Sequence, residues 1–142
     1  MNWKPITIGT LAYTLVTFPL AVVWHVVLFE AQYVAFGYFD GEPSFSLGLV
    51  TIVIQGLLLS VIYPRFRLAG STLSRGLKFA ALIGAFFWTS HVLALIAKQS
   101  LQSPYLYLVM ESFYLVIQFG VFGVLIAFVY ADANTPRDTG QS

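Results

Sequence analysis

The sequence contains no cysteine, and only 9% of its 142 residues are charged. The absence of cysteine excludes disulfide bonds, thiolate-ligated zinc, iron–sulfur clusters and thiol catalysis. The scarcity of charge excludes a disordered chain and a nucleic-acid-binding surface, because both need many charged side chains. A soluble domain carries roughly a quarter of charged residues. We therefore expect a protein that is solvated mainly by lipid and has no nucleic-acid partner.

Long apolar runs are what the sequence does contain: 58% of the residues are hydrophobic and the mean hydropathy is +0.82. A helix needs about 20 mostly apolar residues to cross the hydrocarbon core of a bilayer. Four stretches qualify, and their continuous apolar character excludes the alternating pattern of a membrane β-barrel. We predict four spans, at Ile6–Phe29, Leu47–Tyr63, Phe79–Ala97 and Tyr105–Tyr130.

Short connections between the four spans predict an all-α fold, a membrane-spanning up-down four-helix bundle. The prediction is a single transmembrane domain over residues 1–131, followed by a polar cytoplasmic tail over residues 132–142. Basic residues predict the orientation, because Lys and Arg are enriched in cytoplasmic connections. Only Lys98 falls on one side of the bilayer, so both termini are expected in the cytoplasm with Lys4, Arg65, Arg67, Arg75, Lys78 and Arg137.

The two halves of the chain share local patterns. Val53-Ile54-Gln55 in the second span is matched by Val116-Ile117-Gln118 in the fourth. The first span carries Trp24-His25, and the third carries Trp88 three residues before His91. One interpretation is a pair of related helical hairpins with the same orientation in the membrane.

A few polar side chains interrupt the apolar spans, and ionisable groups inside a bilayer are costly and often functional. Glu111 is the only formally charged residue within a predicted span. At 1.5 Å rise per residue, His25, His91 and Glu111 all lie about 6–9 Å below the outer boundary, and Gln55 lies about 12 Å deep. These four residues form the candidate ligand-binding or metal site.

Several chemistries fit this set of residues. Two imidazoles and a carboxylate suit a divalent metal, and histidines on two helices at one depth suit the axial positions of a haem. A Glu–His pair could also exchange a proton in a proton-linked or quinone-type site. The alternative is purely structural: Gln55 and Gln118 bond neighbouring helices, and Glu111 forms an ion pair with His25, His91 or Lys98.

Two further features predict surfaces that contact lipid or another helix. Five aromatic residues between the first two spans predict a short amphipathic helix along the outer interface, ending at Asp40-Gly41 and covering the polar cluster; they are Tyr33, Phe36, Tyr38, Phe39 and Phe45. In the third span, small residues spaced by four favour close helix packing. We expect Gly76, Ala80 and Gly84 to contact another membrane subunit or a second copy of the chain.

Five short motifs carry a resemblance: Asn2-Trp3, Trp24-His25, Gly41-Glu42-Pro43, Gln55-Gly56 and Tyr63-Pro64. With these, the chain resembles a group of small, uncharacterised four-helix bacterial membrane proteins that open with an Asn-Trp pair. The resemblance implies a location in the bacterial inner membrane and carries over no activity. The chain differs from the small multidrug transporters, whose first span contains a glutamate, because Glu30 lies at the end of its first span.

Three functions are compatible with these features. The first is a non-enzymatic accessory or assembly subunit of a membrane complex, because the chain is small and has little mass outside the membrane. The second is a redox protein that binds a metal or haem through His25 and His91. The third is a small oligomeric proton-coupled transporter in which Glu111 is the coupling carboxylate.

Overall fold

The computed structural model describes residues 2–39 and 41–131, which form helices and connections without a single strand. The all-α prediction is therefore confirmed. The expectations for Asp40, for Arg137 and for the tail over residues 132–142 lie outside the described residues.

Six α-helices and three irregular helical turns make up the described chain. Helix α1 is followed by a π-helical turn, α3 by a 3₁₀ turn, and α4 is joined to α5 through a second π-helical turn. In chain order they are α1 (Trp3–Val22), the first π turn (Val23–Leu28), α2 (Glu30–Phe36), α3 (Phe45–Ile62), the 3₁₀ turn (Tyr63–Arg65), α4 (Thr72–Phe87), the second π turn (Trp88–Leu93), α5 (Ala94–Lys98) and α6 (Pro104–Ala131).

Four continuous helical runs are long and apolar enough to cross a membrane, as predicted, and the protein is an integral membrane protein. We call them the first to fourth spans: Trp3–Leu28, Phe45–Arg65, Thr72–Lys98 and Pro104–Ala131. The end of the bundle at which α2 lies is called the α2 end.

Helix starts follow local capping chemistry. The Ser44 side chain accepts the backbone N–H of Leu47 at the start of α3, and the Ser71 side chain accepts that of Ser74 at the start of α4. The third span therefore begins seven residues before the predicted Phe79. The hydropathy pattern missed this segment because its first turns carry Arg75 and Lys78 and are polar.

Helix α6 lies at the centre of the packing. The first span contacts both α3 and α6, and α4 packs along α6, so the helices are ordered α3, α1, α6, α4. In the fourth span, 44% of the apolar 18-residue segment is buried inside the protein. The corresponding share is 17% in each of the other three spans. A side chain on α6 can therefore meet residues from both hairpins.

The contact between α4 and α6 depends on small residues. A Cβ atom added to Gly76 would overlap the carbonyl oxygen of Gly123, and one added to Gly84 would lie 3.1 Å from the Phe119 ring. Ala80 is buried in the same contact. Gly76 and Ala80 are buried against α6 of the same chain, whereas Gly84 is only half-buried. The expectation that Gly76, Ala80 and Gly84 contact another membrane subunit or a second copy of the chain stays a prediction.

We predict that Gly76→Ala destabilises the protein by about 1–3 kcal/mol, the usual cost of overpacking, because its methyl group would collide with backbone. Gly120→Ala is the matched control, since nothing lies within 4 Å of a Cβ atom added there. Unfolding in mixed micelles measures the free energy of both variants. Equal stability of the two variants would contradict the close α4–α6 contact.

Candidate functional site

The carboxylate of Glu111 is completely buried, 0% exposed, in the half of the bundle nearer the α2 end. Its Oε1 atom lies 2.9 Å from Nε2 of His25 and 2.5 Å from the hydroxyl oxygen of Tyr33. Its Oε2 atom lies 3.2 Å from Nε2 of His91. These four residues, from the first span, α2, the third span and the fourth span, are called the carboxylate cluster.

Both histidines of the carboxylate cluster lie in π-helical turns. The backbone N–H of Phe29 bonds to the carbonyl of Trp24, and that of Ala94 bonds to the carbonyl of Thr89, five residues back in each case. Such turns are rare, disturb the regular rotation of a helix, and are frequent at functional sites. Here the two irregular turns are the segments that direct imidazoles from two spans to one carboxylate.

The direction of the hydrogen bonds to Tyr33 follows from its neighbours. Nε1 of Trp24 can only donate, and it donates to the Tyr33 hydroxyl at 2.9 Å. The hydroxyl therefore donates its own hydrogen to Oε1 of Glu111. Burial raises the pKa of Tyr33 above its usual range and the adjacent carboxylate raises it further, so Tyr33 stays protonated and remains a donor.

The His25–Glu111 contact requires a proton of its own. Nδ1 of His25 lies 2.9 Å from the carbonyl oxygen of Ala21, which can only accept, so Nδ1 carries a hydrogen. In a neutral ring Nε2 is then unprotonated, and it faces Oε1 of Glu111. A hydrogen bond forms there only if one further proton sits on the imidazole or on the carboxyl group. Without that proton two lone pairs would face each other.

His91 is placed differently from His25. Its side chain is 38% exposed, whereas that of His25 is 11% exposed. Its contact with Glu111 is close, yet Oε2 accepts no hydrogen bond of good geometry, and the buried hydroxyl of Tyr107 also has no partner. Unsatisfied buried polar atoms are uncommon. The side of Glu111 that faces His91 therefore has unused hydrogen-bonding capacity.

Gln55 does not reach the carboxylate cluster. Nε2 of Gln118 donates to the hydroxyl of Tyr13 at 2.8 Å, and that hydroxyl donates to Oε1 of Gln55 at 3.2 Å. We call these three residues the amide relay. It joins the first, second and fourth spans below the carboxylate cluster, as expected for glutamines that connect helices.

A cavity of about 480 Å³ connects the two groups, and this volume lies in the range of small-molecule sites. Its lining includes His25, His91, Gln55 and Gln118, together with aromatic side chains from all four spans and from the connection before α3. Glu111 is not part of the lining. The two histidines therefore separate the buried carboxylate from the cavity.

The positions of the site residues can be compared with the predicted metal and haem sites. Among the residues that the structure describes, no group of three or more His, Cys, Asp and Glu side chains is arranged to hold a metal ion. The prediction of an axial haem pair also gains no support, because the carboxylate of Glu111 bridges His25 and His91 and occupies the space between their rings. In the described part of the chain, Glu111 forms ion-pair contacts within 4 Å with His25 and His91. Lys98, the third predicted partner, makes no such contact with Glu111.

Sequence reasoning missed three residues that complete the site. The sequence predicts Tyr33 only as part of an aromatic cover and Trp24 only as a neighbour of His25, and it indicates no role for Tyr13. The α2 helix does cover the carboxylate cluster, with Tyr33 and Phe36 buried. The available signal was the position of Tyr33 in a connection that contains acidic and aromatic residues and no Lys or Arg.

We predict that Tyr33→Phe lowers the free energy of unfolding by about 1.5–3 kcal/mol, the range for hydrogen bonds to charged groups. The variant removes the O–H donor to Glu111 and leaves the indole N–H of Trp24 without its acceptor. Unfolding in mixed micelles measures the loss, and Tyr105→Phe is the control because Tyr105 is 79% exposed. A Tyr33→Phe protein as stable as the control would show that the bond to Glu111 contributes nothing.

Comparisons with known proteins identified no similar protein. No protein-family model matches the chain, and neither the curated proteins nor the solved structures contain a match. The resemblance to small bacterial membrane proteins with an Asn-Trp start therefore stays a prediction from the sequence motifs.

Proposed function

We propose that the protein is a proton-coupled membrane carrier for a small, membrane-soluble molecule, with Glu111 as the coupling carboxylate. The observation that supports this most strongly is the completely buried carboxylate held between two histidines that line a cavity. Ionisable groups at such a depth are expensive and mark proton and substrate pathways in membrane proteins.

Two histidines are more than a structural ion pair needs. His25 alone would complete such a pair, because its ring is buried and hydrogen-bonded at both nitrogens. His91 adds a second imidazole that touches Oε2 of Glu111 and is partly exposed toward the cavity. Imidazole exchanges protons near neutral pH. His91 thus connects the buried carboxylate to a place where a proton can arrive or leave.

Coupling follows from the single proton of the His25–Glu111 pair. A ligand that enters the cavity beside both histidines changes the hydrogen bonds available to their rings. The proton then passes from Nε2 of His25 to the carboxyl group of Glu111 and on to Nε2 of His91, while the other ring nitrogen of His91 releases its proton to water. The carboxylate cluster thus loses one proton when the ligand binds, which links ligand occupancy to protonation.

The orientation belongs to the same proposal. Among the Lys and Arg residues that the structure describes, Lys98 alone lies at the α2 end, and the other five lie at the opposite end: Lys4, Arg65, Arg67, Arg75 and Lys78. By the positive-inside rule the α2 end faces away from the cytoplasm, and we place the protein in the bacterial inner membrane. The cavity then lies in the outer half of the bilayer.

We predict that Glu111→Gln reduces ligand-induced proton flux at least tenfold, because an amide keeps the shape of the side chain and cannot exchange a proton. Proteoliposomes loaded with the pH-sensitive dye pyranine measure the flux after addition of a neutral, an anionic and a cationic membrane-soluble probe. Glu30→Gln is the matched control, since Glu30 is exposed at the start of α2. Unchanged flux in Glu111→Gln, or none with any probe in the wild type, would refute the carrier.

An accessory or assembly subunit is the second candidate function, and one observation favours it. A groove of about 680 Å³ runs between α4 and α6 on their outer side, and small residues form much of its floor: Ala81, Gly84, Ala85 and Gly120. Helices associate in lipid through such surfaces. The occupant in this proposal is one helix of another membrane protein.

We predict for this candidate that Gly120→Leu, which fills the groove, releases the chain from a complex of defined stoichiometry. Native mass spectrometry of protein extracted from its own membranes in mild detergent measures the complex. Leu15→Phe is the control on the exposed face of α1, where Leu15 is 71% exposed. Extraction of a free 15.8 kDa chain under every mild condition would exclude this function.

A further inference from the structure

The cavity is elongated along the helix axes. Its wall on α1 and the first π turn includes Thr17, Ala21 and His25, which are spaced by four residues and therefore lie on one face. At 1.5 Å rise per residue this face is about 12 Å long. The cavity thus accommodates an extended or ring-shaped molecule whose two ends meet different chemistry.

The distribution of charge around the cavity disfavours ionic ligands. Among the described lining residues there is no Asp, Glu, Lys or Arg, and the histidines cover the carboxylate of Glu111. A cation would find no exposed carboxylate, and an anion would be repelled by Glu111 whenever that group is ionised. A buried charge without a partner is costly. The lining therefore favours a neutral ligand.

Hydrogen-bond donors lie at both ends of the cavity. In the amide relay, Oε1 of Gln55 accepts from Tyr13, which leaves the amide NH₂ group of Gln55 as a donor without a bonded partner. At the α2 end, His91 bonds to no other described side chain than Glu111, so one ring nitrogen remains to serve the cavity. That nitrogen carries a hydrogen, and is a donor, when, in addition to the one hydrogen of a neutral ring, a proton lies between Nε2 of His91 and Oε2 of Glu111, on either the ring or the carboxyl group. In that state the two ends call for a ligand with an acceptor oxygen at each end.

The two ends of the cavity lie at different depths, and its walls are aromatic. Glu111, beside His91, and Gln118, in the amide relay, are seven residues apart on α6, which is a rise of about 10.5 Å along the helix axis. Phe18, Phe87 and Tyr114 line the cavity and supply aromatic walls for a flat ring. A flat ring with an acceptor oxygen on each of two opposite sides therefore matches the two ends in chemistry.

Access is from the lipid side. Leu47 of the lining is 66% exposed and Thr51 is exposed as well, so the cavity reaches the outer surface of α3 within the membrane-crossing segment. A ligand that dissolves in the bilayer can therefore enter without crossing a polar surface.

We infer that the cavity binds a neutral, membrane-soluble quinone-type ring, with one oxygen accepting from the amide of Gln55 and the opposite oxygen accepting from the imidazole of His91. This inference rests on the proposed carrier function and names the class of its ligand. The bound ring lies beside the histidines that separate Glu111 from the cavity, so occupancy and the proton of the carboxylate cluster are coupled.

Calorimetric titration of decylubiquinone into the full chain in lipid nanodiscs tests the inference. We expect saturable binding that Gln55→Leu weakens at least tenfold, because the amide donor is lost, and that Gly48→Leu abolishes. The Gly48 variant fills the cavity without touching the amide relay, since a Cβ atom there meets only Phe18 at 4.0 Å. Gln99→Leu, an exposed glutamine on the connection after α5, should leave the affinity unchanged.

Two further probes separate failure of the ligand class from failure of the carrier. Equal binding of decylbenzene, which lacks the oxygens, would overturn the inference, and so would the absence of decylubiquinone binding. Binding of the cation tetraphenylphosphonium with Glu111-dependent proton flux would overturn the quinone class and leave the carrier standing. Decylubiquinone binding without proton exchange, measured in buffers of different ionisation enthalpy, would support the ligand class and refute the carrier.

Discussion

A carboxylate enclosed by apolar helices has to be neutralised or hydrogen-bonded, and the arrangement around Glu111 meets that requirement. Three separate segments each contribute one polar group: the first π turn supplies His25, α2 supplies Tyr33 and the second π turn supplies His91. If any of these segments moved, a buried charge would lose a partner at a cost that packing alone does not impose. The position of α2 over the bundle and the irregular helical turns both follow from this one group.

The same constraint explains why α6 lies at the centre. Only a helix in contact with both neighbours can present one side chain to the first and third spans together. Close contact with α4 depends on the missing side chain of Gly76, which lets the α4 backbone reach Gly123. Close approach at small residues, together with the ring contacts of Phe79 with Phe122 and of Phe87 with Phe119, therefore holds the third span at the distance that His91 needs. Stability and site geometry thus depend on the same interface.

Two polar networks lie at different depths along the cavity. The carboxylate cluster contains ionisable side chains, whereas the amide relay of Gln118, Tyr13 and Gln55 consists of two amides and a phenol with defined donor directions. The cavity between them is mostly apolar and opens along α3. In the proposed carrier, the first network exchanges the proton, the second recognises the ligand, and the opening along α3 admits molecules that arrive through the membrane.

The sequence by itself determined the number of spans, their approximate limits and the shared depth of His25, His91 and Glu111, because hydropathy and rise per residue act along the helix axis. It also indicated that the aromatic connection covers the polar groups. Rotation about each axis was decided by tertiary packing, and with it the convergence on Glu111, the separate grouping of Gln55 with Tyr13, and the burial of Gly76 against α6. The π turns and the role of Tyr33 were equally beyond the sequence, since both depend on which carbonyls and carboxylates the folded chain brings within hydrogen-bonding distance.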